Sequence, residues 1–237
     1  MLVMLLFGAS ITLDRLCAEA FDLDRLARFP EPAFAAAQAS SFDRASTEPG
    51  KESWFANGDA GHFVDTVRRG GRTEFVLARL QGPGVVTRFW SANPVGTLRM
   101  RFDGEEDPRL ECRLADWLSG GFGLSREPWS YRSAGGWNSY LPIPFSRSLE
   151  ITVDDSEGDQ VRWLYYHVGY RRYGPHVAVA SPTADELRED REASIAGLAE
   201  GAGRAVPLRA TVGPGEAVRL AQVGGPAIGR VLELRVA

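Results

Sequence analysis

Two acidic residues stand where a carboxylate can do chemistry. Asp43 lies in Ser40-Ser41-Phe42-Asp43-Arg44, and Asp59 closes Trp54-Phe55-Ala56-Asn57-Gly58-Asp59, a loop pattern with adjacent aromatics. Two carboxylates flanking a glycosidic bond can act as general acid and as nucleophile or base, so such a pair suits glycoside hydrolysis. With 31 Asp and Glu in the chain, a pair alone diagnoses nothing. Glu105 and Glu106 fall in a turn and are less well placed. Asp43 beside Arg44, flanked by hydroxyls, can grip a polyol or a partner chain; the plainer reading is a turn cap and a solvated arginine. Trp54, Trp129, Tyr131, Trp137 and Tyr140 sit among small polar residues. Their rings could stack on the apolar faces of sugars, or half of them could be ordinary core.

Other chemistries have little support. No G-x-S-x-G elbow occurs. His62, His167 and His176 are widely spaced and form no H-x-x-x-H or H-E-x-x-H pattern, so a zinc site is not indicated. Neither a phosphate loop nor a Rossmann fingerprint is present. Cys17 and Cys112 are too few for a disulfide framework or a four-cysteine metal site. No cofactor is expected. A net charge of −4 without a basic tract argues against nucleic acid as a partner.

The elements that must position these residues read as strands. Val76 to Pro108 is the densest stretch. Val76, Leu77 and Leu80 precede a Gln81-Gly82-Pro83-Gly84 turn, and Val85, Val86, Phe89 and Trp90 follow. After Asn93-Pro94-Val95-Gly96, Leu98, Met100 and Phe102 alternate with Arg99 and Arg101, the period of a half-buried strand. Three such strands joined by short turns predict an antiparallel meander that needs a second layer. Leu149 to Val153 and Val161 to Tyr170 also read as strands. In the latter, Trp163, Tyr165 and His167 share one face, and Leu164, Tyr166 and Val168 the other. Trp117 to Gly136 reads as a long loop, and Ala33 to Ala39 as helix or linker.

Helix signals are few. Phe21 to Phe29 suggests a short amphipathic helix capped by Asp22, with Leu23, Leu26 and Phe29 on one face. Thr183-x-x-Glu186 matches a capping box before helix formers running to about Ala199. Beyond it, Leu220-Ala221-Gln222-Val223-Gly224-Gly225-Pro226 echoes Leu77-Ala78-Arg79-Leu80-Gln81-Gly82-Pro83, as if a second sheet domain began. Met1 to Thr12 is an apolar run with a small-x-small triplet, Ala18-Glu19-Ala20, after it. If this is a secretory signal, the protein is periplasmic or secreted; otherwise it is cytoplasmic.

Several of these motifs resemble glycoside hydrolase family 172, formerly domain of unknown function 2961. Ser40-Ser41-Phe42-Asp43-Arg44 resembles its S-S-Y-D-R opening, and Gly82 to Trp90 its G-P-G-V-I-x-R-I-W strand pair. Phe102-Asp103-Gly104-Glu105 with Pro108 resembles its Y-x-D-G-x-x-x-P hairpin. Asn138-Ser139-Tyr140-Leu141-Pro142-Ile143-Pro144-Phe145 resembles N-x-Y-x-P-x-P-F, and Leu164 to Val168 resembles L-Y-Y-x-V. Trp54 to Asp59 matches a W-F-A-N-G-D subgroup. The likeness runs from Leu26 to Tyr173 in the same order.

The resemblance implies jelly-roll sandwiches joined by a helix, assembly as trimers or their multiples, and exo-acting hydrolysis or transfer on furanosides such as fructofuranosides or arabinofuranosides. With the apolar run at 1–20 read as a possible signal peptide, it implies an all-β chain: 21–180 antiparallel jelly-roll β-sandwich, 181–203 connecting helix, 204–237 first strands of a second sandwich. The family's catalytic glutamates belong to E-G-D and T-E-D-Y-F segments of that second sandwich. Glu157-Gly158-Asp159 does not match, because it precedes the Leu164-Tyr165-Tyr166 strand. No catalytic residue is therefore carried over, and the expectation is a truncated member, inactive alone. The alternatives are a non-catalytic carbohydrate-binding module, or a structural subunit that assembles with copies of itself or with a chain carrying the second sandwich. Asp43, Arg44, Asn57, Asp59, Trp137, Asn138 and Tyr140 are the expected substrate-binding residues for a furanoside.

Overall fold

The structure, a computed structural model, describes residues 10–188 and positions 211, 213–215 and 217. Helix α1 (Leu13–Phe21) comes first. Strands follow as β1 (Phe34–Ser40), β2 (Asp65–Arg69), β3 (Arg72–Gln81), β4 (Gly84–Ser91), β5 (Thr97–Phe102) and β6 (Leu110–Arg113). After helix α2 (Leu114–Ser119) come β7 (Ser130–Ser133), β8 (Gly136–Ser139), β9 (Ile143–Phe145), β10 (Ser148–Asp154) and β11 (Tyr166–Tyr173), then helix α3 (Ala184–Arg188). One sheet runs β1-β11-β4-β8-β7 with β9 also on β4; the other runs β2-β3-β10-β5-β6. The strand pairs within both sheets are antiparallel. Leu77, Leu98, Met100 and Phe102 of one sheet meet Val86, Phe89 and Val168 of the other in a single buried cluster. This is the expected all-β antiparallel sandwich.

The meander is corrected. β3, β4 and β5 exist where expected, but β3 and β5 lie in one sheet and β4 in the other. Alternation tells which side of a strand is apolar, not which strand pairs with it. The Gly82 turn takes the chain across the sandwich, and its N–H donates to Arg147 O at 2.8 Å. A Cβ at Gly82 would stand 2.5 Å from Ser146 O, so only glycine passes so close to that backbone.

Four other expectations change. The helix expected over Phe21–Phe29 lies earlier, at α1. Thr12 caps it by accepting from Arg15 N at 3.3 Å, and Leu13, Leu16 and Cys17 bury one face. Asp22 ends that helix, a 3-10 turn follows over Leu23–Ala27, and Leu26 and Phe29 point into solvent. The segment 33–39, expected as helix or linker, lies almost entirely in β1, which pairs with β11. The expected loop over Trp117–Gly136 contains α2 and a tight hairpin, β7–β8. Ala134 and Gly135 both have positive φ there, the two-residue turn that matches strand twist. The strand expected from Val161 starts at Tyr166, after a 3-10 turn over Asp159–Trp163. Its alternation holds: Leu164, Tyr166 and Val168 are buried, while Trp163 and Tyr165 are exposed.

The capping box opens α3: Glu186 N donates to Thr183 Oγ1 at 3.2 Å, and Thr183 N to Glu186 Oε2 at 2.7 Å. Residues 1–9 of the expected signal, the rest of the connecting helix, and almost all of 204–237, including the Leu220 repeat, lie outside the described residues. Ala18-Glu19-Ala20 falls within α1. Among the described residues, no helix is long and apolar enough to cross a membrane.

Candidate functional site

The outer face of the six-stranded sheet gathers the polar and aromatic groups. In β4, Phe89 points into the core, so Arg88 and Trp90 point out. Register aligns Trp90 with His167 of β11 on one side and Asn138 of β8 on the other, and Asn138 with Tyr131 of β7. Opposed residues share a face, so Tyr131, Asn138, Trp90 and His167 form one row. The Trp90 and His167 rings lie 4.8 Å apart at 39°. Gly136 makes room for the indole, because a Cβ there would stand 2.1 Å from Trp90 Nε1. In the next row Arg88 faces Gly169, which leaves bare backbone beside it. Arg88 Nη2 donates to Asn138 Oδ1 at 3.0 Å, and its guanidinium sits 5.9 Å from the Tyr140 ring. Tyr140 stacks on Tyr131 at 5.9 Å, and both are partly exposed. Burial lowers the pKa of His167 below its ordinary value; Arg88's charge adds to this and Asp59's opposes it. A neutral imidazole there both donates and accepts.

A second group lies on the connection between β1 and β2. Asp43 N donates to Asp59 Oδ1 at 2.8 Å. Asp43 in turn accepts from Ala45 N and Gly58 N, each at 2.9 Å, and these bonds lower its pKa. His62 Nε2 stands 3.9 Å from Asp43 Oδ1 and 2.8 Å from Gly58 O. Arg44 donates to Ser40 O and Phe42 O and lies over the Phe42 ring at 3.9 Å. The connection is tied to β11 through Tyr166, whose N–H donates to Ser41 Oγ and whose hydroxyl donates to His62 O. These bonds hold a chain reversal in place: Asp43 and Arg44 bind their own backbone.

Of the expected site residues, Asn138 and Tyr140 therefore belong to the open sheet face, and Asp59 flanks it near His167. Asp43 and Arg44 brace the adjoining connection, on which Asn57 is exposed. Trp137 alternates with Asn138 and packs against the core instead. Trp129 is buried against Phe21. Arg88, Trp90 and His167 were not singled out as site residues from the sequence. The signal that marks them was present: each sits one residue from a core position, Phe89, Tyr166 or Val168, on a strand whose other face needs no partner. Among the described residues, no group of three or more His, Cys, Asp or Glu could hold a metal ion.

The opposite outer face, on the five-stranded sheet, has a cleft of about 690 Å³. Its arginines are already occupied. Arg101 makes two hydrogen bonds to Glu74, at 2.8 and 3.0 Å, Arg79 pairs with Asp65 and Glu150, and Arg69 with Glu150 and Glu74. Beside the cleft, Arg99 pairs with Asp154 and Glu111. Glu74 is fully buried. Burial pushes its carboxyl up, but bonds from Arg101, Thr152 and Arg72 outweigh that and hold it at about 2. A cleft whose charges cancel within the chain is a poorer site than the open face.

Against known proteins, the model of the GH172 first β-sandwich domain matches residues 32–190. No curated protein matches the chain. Among solved structures, the catalytic domain of a GH87 α-1,3-glucanase in complex with nigerose aligns at 15% identity and a TM-score of 0.24. That alignment covers 64% of this chain and 29% of the other, so the chain spans under a third of that protein's length, a likeness too low to define a shared fold.

Proposed function

The chain belongs to the GH172 family through that family's first β-sandwich domain, and from this membership we propose that the outer face of its six-stranded sheet binds furanoside sugars for a glycoside hydrolase. The observation that carries this reading is Trp90. Its indole lies along the sheet between Gly136 and His167, partly exposed, beside the bare backbone of Gly169. An aromatic face beside open backbone accepts the apolar face of a sugar ring, while Arg88, Asn138 and His167 supply directional partners for hydroxyls.

This reading gives the described domain the binding part of the work. Both oxygens of Asp43 are engaged by backbone amides, which makes it a poor nucleophile or acid. The carboxylates that break the bond are then supplied from outside the described residues. The test is titration of the purified chain with methyl arabinofuranosides and fructofuranosides, followed by tryptophan fluorescence. Wild type should show saturable binding, and Trp90→Ala should weaken it by about tenfold or more, about 1.4 kcal/mol, with little change in stability. Unchanged affinity in Trp90→Ala would move the site elsewhere.

A second reading, assembly through copies of the chain, is favoured by a different observation. Phe55 is 80% exposed and Trp163 is 69% exposed. Large apolar groups left in water suit a protein interface. If these side chains mediate self-association, Phe55→Ser with Trp163→Ser should lower the mass measured by light scattering to that of one chain.

A further inference from the structure

Arg88 stands apart from the strand arginines of the opposite face. Among the described residues it pairs with no carboxylate, and its Nη2 donates to Asn138 Oδ1. Its Nε is buried with no hydrogen-bond partner. The groups around it are the Tyr140 ring, the neutral amide of Asn138 and the backbone of Gly169. His167 in the neighbouring row is disfavoured from charging by burial and by Arg88, and the opposing charge of Asp59 acts on His167. A half-buried guanidinium with five N–H donors and no counter-charge is costly unless something else completes it. Arginine's planar fork matches a carboxylate in particular.

We propose that Arg88 makes this face a subsite for a carboxylate, so that the preferred ligand is an acidic furanoside, carrying a carboxylate on the sugar or on the group attached to it. The proposal rests on the reading of this face as a furanoside-binding surface. In it, the furanose ring lies on Trp90, and the carboxylate reaches Arg88 two residues along β4 on the same face, beside Tyr140. Asn138 takes one Nη2 donor and orients the guanidinium, and Nε is buried, so the carboxylate is met by the terminal nitrogens. Nothing covalent is required: the subsite selects among ligands by charge and shape.

Two matched probes test it, phenyl α-L-arabinofuranoside and 4-carboxyphenyl α-L-arabinofuranoside, titrated into wild type and Arg88→Gln by calorimetry at low and high salt. The carboxylate probe should bind wild type at least tenfold more tightly than the neutral one. That preference should vanish in Arg88→Gln and shrink as salt rises. Arg88→Lys retains a point charge without the fork, so it should keep only part of the preference. It also serves as the test variant should the glutamine form not fold. Equal binding of the two probes by wild type, or a preference that survives Arg88→Gln, would overturn the carboxylate subsite and leave the sugar-binding face intact. Failure of both probes to bind wild type would overturn the carboxylate subsite and the sugar-binding face together.

Discussion

On the five-stranded sheet Arg69, Arg72, Arg79, Arg99 and Arg101 each reach a carboxylate; on the six-stranded sheet Arg88 reaches an amide and an aromatic ring. Both sets lie on outward faces of strands whose inward faces build the same core. In the first region the charges are closed among themselves, and Glu74 is taken fully out of water by its arginines. In the second, a tryptophan, two tyrosines, a histidine and an arginine are left partly open to solvent. A face that satisfies its own charges stabilises the fold; a face that does not is available to a ligand. Mutations should separate the two cleanly, stability on one side and affinity on the other.

The largest effect is expected from Glu74→Ala. It strands Arg101, Arg72 and the Thr152 hydroxyl without their acceptor, and removing one partner of a buried ion pair costs about 3–5 kcal/mol. The urea midpoint should fall accordingly, with the slope unchanged, while affinity for a furanoside measured under folding conditions stays as it was. A loss below about 1 kcal/mol would mean that the network only decorates the sheet, since exposed pairs contribute that little.

Acid should act on the same face. Glu74 is held at about 2 against an ordinary 4.5, and Asp154 at about 2 against 3.8. For Asp154 too, burial pushes upward, and bonds from Ser156, Thr97 and Arg99 prevail. Both carboxyls are depressed in the fold, so their contribution is fully present above the unfolded values. It is lost as pH falls from about 4.5 towards 2. For Glu74 this amounts to roughly 3 kcal/mol at neutral pH. Urea unfolding from pH 6 to pH 2.5 should show that decline, and Glu74→Gln should flatten it. A profile unaffected by Glu74→Gln would place the acid sensitivity elsewhere.

The same contrast explains what the sequence could disclose. Leu98, Met100 and Phe102 alternating with Arg99 and Arg101 gave β5 and its faces, and Tyr166 and Val168 around His167 gave those of β11. Alternation is local and survives without knowledge of partners. Pairing does not: whether β4 follows β3 within one sheet or across the sandwich depends on a close approach at Gly82 to Ser146, 64 positions away in the chain. Arg88 and Arg101 therefore look alike in the sequence, each an outward arginine beside core residues. Their difference lies in whether Glu74 or Gly169 stands opposite or nearby, and long-range register decides that. α1 is not legible because an apolar run before Thr12 reads equally well as a leader. Trp137 reads as a binding residue from its polar neighbours, yet alternation with Asn138 turns it inward.

Asp43 tests the boundary between the two behaviours with the smallest effect. The resemblance-based expectation gave it to the ligand, but its carboxylate is satisfied by the amides of Ala45 and Gly58, and those bonds hold its pKa below the ordinary range. It should therefore behave like a scaled-down Glu74, stabilising a short connection instead of a sheet. In Asp43→Ala, hydrogen exchange at Ala45 and Gly58 should speed up severalfold while exchange in β4 and β11 stays protected, because local opening need not involve the core. The depressed carboxyl gives the sign of the pH effect: in wild type the same two amides should lose protection only as pH falls through that lowered value. Furanoside affinity should drop less than in Trp90→Ala, and only insofar as a looser connection displaces Asp59 from the neighbourhood of His167. Complete loss of binding with exchange at Ala45 and Gly58 unchanged would show that Asp43 touches the sugar, and the open face would then extend from the sheet onto the connection beside it.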